Sequence, residues 1–218
     1  MSNKKTKFKI AGLPKAQGLY NPLNEHDACG VGMVLDIKNR ASFDIVEKGL
    51  AMLCNLEHRG AVGADPKAGD GSGLLIQIPH KFLEKKVSKN FSLPKPGNYA
   101  VGVMFIPDNS NDDKKIKKLV EDVCKKEGFN ILGWRLCPTY TKELGWSVLP
   151  STPIVYQLFI ERPDTEKSQD NFERKLYILR RCIEKAVLEI SDEIKEGFYI
   201  PSFSSRTILY KGMVLADQ

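Results

Sequence analysis

The sequence has 218 residues, of which 42% are hydrophobic and 28% are charged, close to the balance of a soluble globular protein. This composition excludes disorder throughout the chain, and no run of about 18 apolar residues predicts a transmembrane helix. Lys and Arg number 33 against 27 Asp and Glu, a formal net charge of +6. Because the basic residues are spread along the chain, they favour neither nucleic acid nor a membrane as a partner.

The cysteines indicate a reducing environment. There are five, an odd number, and no secretion signal precedes them. This pattern is typical of a cytoplasmic protein with free thiols rather than of a disulfide framework. The five cysteines are Cys29, Cys54, Cys124, Cys137 and Cys182.

The first third of the chain is predicted to contain a leader, a strand, a helix and a glycine-rich loop. Residues 1–24 have few apolar side chains and predict a weakly ordered leader. Residues 30–37, an apolar segment with glycines at its start, are predicted as a strand, and the spacing of apolar residues predicts a helix over 44–58. Five glycines predict a loop over residues 60–73, and residues 74–78 are predicted as the next strand.

The remainder is predicted as strands with two long helices among them. The helices cover residues 112–127 and 170–190, and Asp170 and Glu173 have the spacing of a capping box. The order shows no regular βαβ alternation and no internal repeat, which favours an α+β fold with mostly antiparallel sheet. Strands are predicted over residues 99–106, 129–136, 154–161, 198–203 and 207–214.

Two patterns have the spacing of ligand sites, but a structural interpretation is stronger for each. His26 and Cys29 are spaced like zinc ligands, and so are Cys54 and His58. However, Cys54 falls on the apolar face of a predicted helix, where a free cysteine is commonly buried. The glycine-rich loop matches neither the P-loop nor the GxGxxG pattern, so tight packing against other backbone is favoured over phosphate binding.

Cys29 is a candidate nucleophile if cleavage before it exposes its own α-amino group. An α-amine has a pKa of about 7.7–8.0, so it is a usable base near neutral pH. One residue would then supply both the thiol and its base. On spacing alone a structural cysteine remains the favoured alternative.

Several segments resemble the glutamate synthase branch of the class II glutamine amidotransferases. The likeness runs in chain order over residues 18–213, and its EHDACGVG segment distinguishes it from other branches such as the amidophosphoribosyl transferases. The segments are residues 18–22 (GLYNP), 25–32 (EHDACGVG), 56–65 (LEHRGAVGAD), 69–73 (GDGSG) and 204–213 (SSRTILYKGM).

This resemblance implies an N-terminal nucleophile hydrolase fold, an αββα sandwich. Residues 1–28 are then expected to be a propeptide, and residues 29–218 the N-terminal part of the amidotransferase domain. Cys29 is expected to attack the side-chain amide of L-glutamine, so that ammonia leaves and water releases glutamate from a thioester. Arg59 is expected to shape the catalytic site and to hold the substrate by forked hydrogen bonds, and a structural tie to the glycine-rich loop is compatible with that role.

The resemblance also implies that other parts of a larger enzyme are partners. No cofactor or metal is expected in this segment, and FMN and an iron–sulfur cluster are expected in the rest of the large subunit. A small subunit is a further expected partner. Because no Asn-Gly pair for an oxyanion hole occurs in the sequence, we expect a truncated sandwich that releases little ammonia by itself. The alternative is a non-catalytic remnant or assembly module that keeps the fold without turnover.

Overall fold

A computed structural model of the protein describes residues 15, 17, 18, 30–57, 60, 62–108, 110–190 and 197–218. No helix in these ranges is both long and apolar enough to cross a membrane. A short 3₁₀ helix, Leu149–Ser151, precedes the fourth strand. The helices are α1 (Phe43–Asn55), α2 (His80–Val87), α3 (Ser110–Lys126) and α4 (Gln169–Leu188). The strands are β1 (Ser72–Gln77), β2 (Tyr99–Ile106), β3 (Ile131–Leu136), β4 (Ile154–Glu161), β5 (Tyr199–Ser204) and β6 (Thr207–Gly212).

The strands form two antiparallel sheets. One sheet has four strands in the order β3-β4-β2-β5, and the other pairs β1 with β6. In the central pair of the larger sheet, Tyr99 lies opposite Glu161 and Ile106 opposite Ile154. Every strand pair in the described ranges is antiparallel, which confirms the predicted α+β class with mostly antiparallel sheet.

The larger sheet is buried on both faces because its central strands are apolar on both faces. On β2, Met104 and Ile106 face α3 and α4, whereas Val101 and Val103 face α2 and β6. Alternate residues of a strand point to opposite faces, so an unbroken apolar run suits a strand covered on both sides. Each large apolar side chain buried in this way contributes about 1.5–3 kcal/mol.

Residues 30–37 do not form the predicted strand. This segment pairs with none of the described strands, and the side chains of Val31, Met33 and Ile37 are 79–95% exposed. A turn ends it, in which the Asp36 carboxylate accepts the backbone N–H groups of Lys38 at 2.8 Å and of Arg40 at 3.1 Å. An apolar segment forms a strand only where neighbouring backbone completes the hydrogen-bond ladder.

The predicted capping box at the start of α4 is also not formed. The N-cap residue Ser168 makes no side-chain capping bond. The Glu173 carboxylate instead accepts bonds of 2.6–3.0 Å from both Ser204 and Ser205, and Asp170 pairs with Arg206. Asp170 and Glu173, in the first two turns of α4, therefore bind the β5–β6 connection, which is where the SSR of the SSRTILYKGM segment lies.

Candidate functional site

Both sheets contribute to one cleft with a volume of about 980 Å³. Gly30 and Gly60 line this cleft, as do side chains of the glycine-rich loop and of residues 139–153. Cys29, which precedes Gly30, and Arg59, which precedes Gly60, lie outside the described residues. The chain neighbours of both predicted site residues thus lie on the wall of the same cleft.

The glycine-rich loop packs closely against the backbone at the end of the chain. A Cβ on Gly73 would lie 2.9 Å from the carbonyl oxygen of Tyr210, and one on Gly69 would lie 2.9 Å from that of Val214. Gly71 has a φ of +115°, a conformation that side-chain-bearing residues rarely adopt. These contacts support the structural interpretation of the loop over phosphate binding.

Charged groups of both signs line the cleft. Glu57 and Asp70 supply carboxylates, and Lys211 supplies an ammonium group. The Lys211 Nζ donates a hydrogen bond of 3.0 Å to the hydroxyl of Tyr199 and lies 4.3 Å from the centre of its ring. This hydrogen bond lowers the pKa of the Tyr199 phenol, because the donated proton stabilises the phenolate.

Sequence reasoning missed Asp65 as a functional candidate. The residue is 5% exposed, and its carboxylate accepts two bonds of 2.8 Å from Ser147 and one of 3.1 Å from the Lys67 N–H. The Lys67 bond has a sequence signal, since Asp in a turn accepts the N–H two residues on. The Ser147 bonds have none, because the two residues are 82 positions apart.

Of the four residues with zinc-ligand spacing, the structure describes Cys54. Contrary to the prediction, Cys54 is exposed, and its thiol donates to the carbonyl oxygen of Ala216 at 3.5 Å. Its helix α1 buries Gly49 rather than an apolar stripe. No group of three His, Cys, Asp or Glu in these ranges is arranged to hold a metal ion. His26, Cys29 and His58 lie outside the described residues.

Comparison with known proteins gives a consistent family. The sequence-family model of the class-II glutamine amidotransferases matches residues 29–218. The glutamate synthase [NADPH] large chain of Bacillus subtilis is 44% identical over 207 residues, which is 94% of this chain and 13% of that protein. The glutamate synthase [NADPH] large chain of Azospirillum brasilense is 40% identical over 200 residues, which is 91% of this chain and 13% of that protein. The chloroplastic ferredoxin-dependent glutamate synthase of Oryza sativa is 39% identical over 206 residues, which is 93% of this chain and 12% of that protein. The chain thus spans 12–13% of the length of these curated relatives.

Proposed function

The chain belongs to the class-II glutamine amidotransferases and is homologous to the N-terminal region of glutamate synthase large chains, and we propose that, as part of a larger enzyme, it contributes the site that hydrolyses L-glutamine to glutamate and ammonia. The observation that carries the proposal is the shared cleft. Gly30 and Gly60, which follow Cys29 and Arg59 in the sequence, both line it. Its volume of about 980 Å³ is ample for an amino acid.

Cys29 is the proposed nucleophile. The family match begins at residue 29, which supports removal of residues 1–28 so that Cys29 becomes the first residue. Its α-amine takes the thiol proton, and the sulfur then attacks the side-chain carbonyl carbon of glutamine. The amine returns the proton to the leaving nitrogen, so ammonia departs and a γ-glutamyl thioester remains. Water then breaks the thioester, which releases glutamate and restores the thiol.

The charges of the cleft suit a zwitterionic substrate. Glu57 and Asp70 are carboxylates that can face the α-ammonium group of glutamine, and Lys211 is a cation that can face the α-carboxylate. Arg59 is proposed to shape the site and hold the substrate, since its guanidinium can form two parallel hydrogen bonds with a carboxylate.

We further propose that the ammonia serves the reductive amination of 2-oxoglutarate in a larger enzyme. The rest of the large subunit, with a small subunit, is then the partner. FMN and an iron–sulfur cluster belong to those parts, and no cofactor is assigned to this segment. The free thiols of Cys54, Cys124, Cys137 and Cys182 support a cytoplasmic location.

The experiment is covalent labelling with 6-diazo-5-oxo-norleucine, an electrophilic analogue of glutamine. The protein encoded by the complete reading frame is incubated with the analogue, and its intact mass and N-terminus are determined. We expect loss of residues 1–28 and one label on Cys29. Cys29→Ala should abolish both labelling and ammonia release, whereas the control Cys54→Ala should retain both. An unprocessed, unlabelled chain that is fully folded would instead support the non-catalytic alternative.

A further inference from the structure

One buried carboxylate joins two segments of the cleft wall. Asp65 belongs to the glycine-rich loop, and Ser147 belongs to the segment of residues 139–153. The Asp65 Oδ2 accepts hydrogen bonds of 2.8 Å from both the backbone N–H and the hydroxyl of Ser147. The Asp65 Oδ1 accepts the N–H of Lys67 at 3.1 Å, which fixes the carboxylate relative to its own loop.

Gly145 allows the two segments to approach this closely. A Cβ on Gly145 would lie 2.4–2.7 Å from the three carboxylate atoms of Asp65, closer than van der Waals contact permits. The Gly145 N–H donates to the carbonyl oxygen of Lys67 at 3.2 Å, so backbone also bonds across the same junction. The contact between the two segments therefore requires the Asp65 carboxylate as acceptor in the glycine-rich loop and a glycine at position 145 in the facing segment.

Asp65 does not itself line the cleft. Both of its carboxylate oxygens already accept hydrogen bonds from protein donors, above all the Ser147 N–H, which lowers the pKa of the carboxyl group. A carboxylate that is kept ionised and is turned towards protein donors is poorly placed to take a proton from substrate. Any effect of Asp65 on the reaction must therefore act through the segments that it joins.

We propose that Asp65 is a positioning residue of the amidotransferase site, and that its carboxylate sets the width of the glutamine cleft. This inference rests on the proposed function. Hydrogen bonds to a charged acceptor are shorter and stronger than neutral ones, so they hold two loops in one relative position. A displaced wall loses contacts that a bound molecule keeps throughout the reaction, so binding weakens while the rate of the bound complex is unchanged.

The test measures the rate of 6-diazo-5-oxo-norleucine labelling at several analogue concentrations. In Asp65→Asn the amide keeps the shape of the side chain but loses the charge. We expect the concentration for half-maximal labelling to rise about tenfold, while the maximal labelling rate stays within about twofold. Ser147→Ala keeps the backbone bond to Oδ2, so it should give a smaller rise. A general loss of folding would lower the maximal rate and the labelled fraction instead.

The matched control is Glu143→Gln. Glu143 pairs with Lys67 at 3.4 Å, so it connects the same two segments, but both side chains are more than half exposed. Exposed ion pairs contribute little, so this variant should label like the wild type. Equal behaviour of Asp65→Asn and Glu143→Gln would overturn the proposal.

A double-mutant cycle tests the contact with Gly145 directly. Gly145→Ala alone should widen the cleft as Asp65→Asn does, because the added methyl displaces the carboxylate. In an Asp65→Ala background the same methyl has no carboxylate to displace, so Gly145→Ala should add nothing further. Additive effects would contradict a shared mechanism.

A readout that needs no activity separates this inference from the proposed function. Trp146 is 70% exposed and precedes Ser147, so quenching of its fluorescence in a Trp134→Phe background reports on the segment. We expect faster quenching in Asp65→Asn than in Glu143→Gln. If the wild type is not labelled, the proposed function fails. If quenching is unchanged in a protein that is labelled, the positioning role fails.

Discussion

Gln157 on β4 and Tyr210 on β6 hydrogen-bond to each other across the two sheets. The Gln157 Nε2 donates to the Tyr210 hydroxyl at 3.0 Å, and its Oε1 accepts a bond of 2.6 Å from Arg135 on β3. Gln157 is fully buried, so both polar atoms of its amide depend on these partners. The larger sheet and the β1-β6 sheet are thus joined by a polar contact within their apolar interface.

We expect Tyr210→Phe to destabilise the protein by about 1–3 kcal/mol, because the buried Gln157 amide loses its acceptor and cannot reach water. The measurement is the free energy of unfolding from urea denaturation. Tyr177→Phe is the control, since Tyr177 is 65% exposed and its substitution should change stability by less than about 0.5 kcal/mol. Equal stability of the two variants would mean that the bond contributes nothing.

Tyr99 should make stability depend on alkaline pH. It is 1% exposed, and burial, aided by the charge of Glu84, raises the pKa of its phenol to about 12. The unfolded chain loses this proton near pH 10, whereas the folded chain keeps it, so rising pH favours unfolding. The stabilisation is complete below about pH 10, and about 2–3 kcal/mol is lost by about pH 12.

The alkaline loss is measured as the free energy of unfolding at about pH 9 and about pH 11, in the wild type and in Tyr99→Phe. The variant should lose less stability over this interval. Tyr140→Phe, at an exposed position, should behave like the wild type. The same pH dependence in all three proteins would disprove a role for Tyr99.

The cysteines should differ sharply in reactivity. Cys124 is fully buried, and burial followed by the charge of Glu121 raises the pKa of its thiol to about 12. Because the thiolate is the reactive form, iodoacetamide at about pH 8 should leave Cys124 unmodified until urea unfolds the protein. The exposed Cys54 should react in the folded state. Peptide mass spectrometry assigns each site, and rapid labelling of Cys124 in the folded protein would contradict its burial.

Glu173 should contribute to stability through the turn between β5 and β6. Its carboxylate accepts three hydrogen bonds from Ser204 and Ser205. In a glutamine side chain one of the two oxygens is replaced by an NH₂ group, which cannot accept these bonds. We expect Glu173→Gln to cost about 1–3 kcal/mol in urea denaturation. Glu127→Gln, at an exposed position near the end of α3, should be nearly neutral. A neutral Glu173→Gln would show that the turn does not depend on this carboxylate.

The strands of the larger sheet could be predicted closely from the sequence. The predicted limits of β2 and β4, residues 99–106 and 154–161, are those of the structure. Apolar residues predominate in both strands, with Gln157 as the polar exception inside β4, and burial on two faces produces that pattern. Helix α2 was not predicted, because its eight residues offer two buried positions, Leu83 and Val87, which is too short a pattern to recognise.

The candidate site was predictable only in part. The residues beside Cys29 and Arg59 line one cleft, but the roles of Cys29 and Arg59 themselves stay predictions. Asp65 and Ser147 come together through tertiary folding, and no local pattern reports a contact between residues so far apart in sequence. The opposite error occurs at residues 30–37. They were predicted as a strand, but none of the described strands pairs with them.

The pairing of β1 with β6 has a consequence for synthesis on the ribosome. The register places residue 77 opposite residue 207 and residue 72 opposite residue 212, so β1 cannot pair until β6 has been synthesised. At about 5–20 residues per second, that delay is on the order of ten seconds. During it the apolar side chain of Ile76 has no partner strand, and the nascent chain is a candidate client for chaperones until β6 is translated.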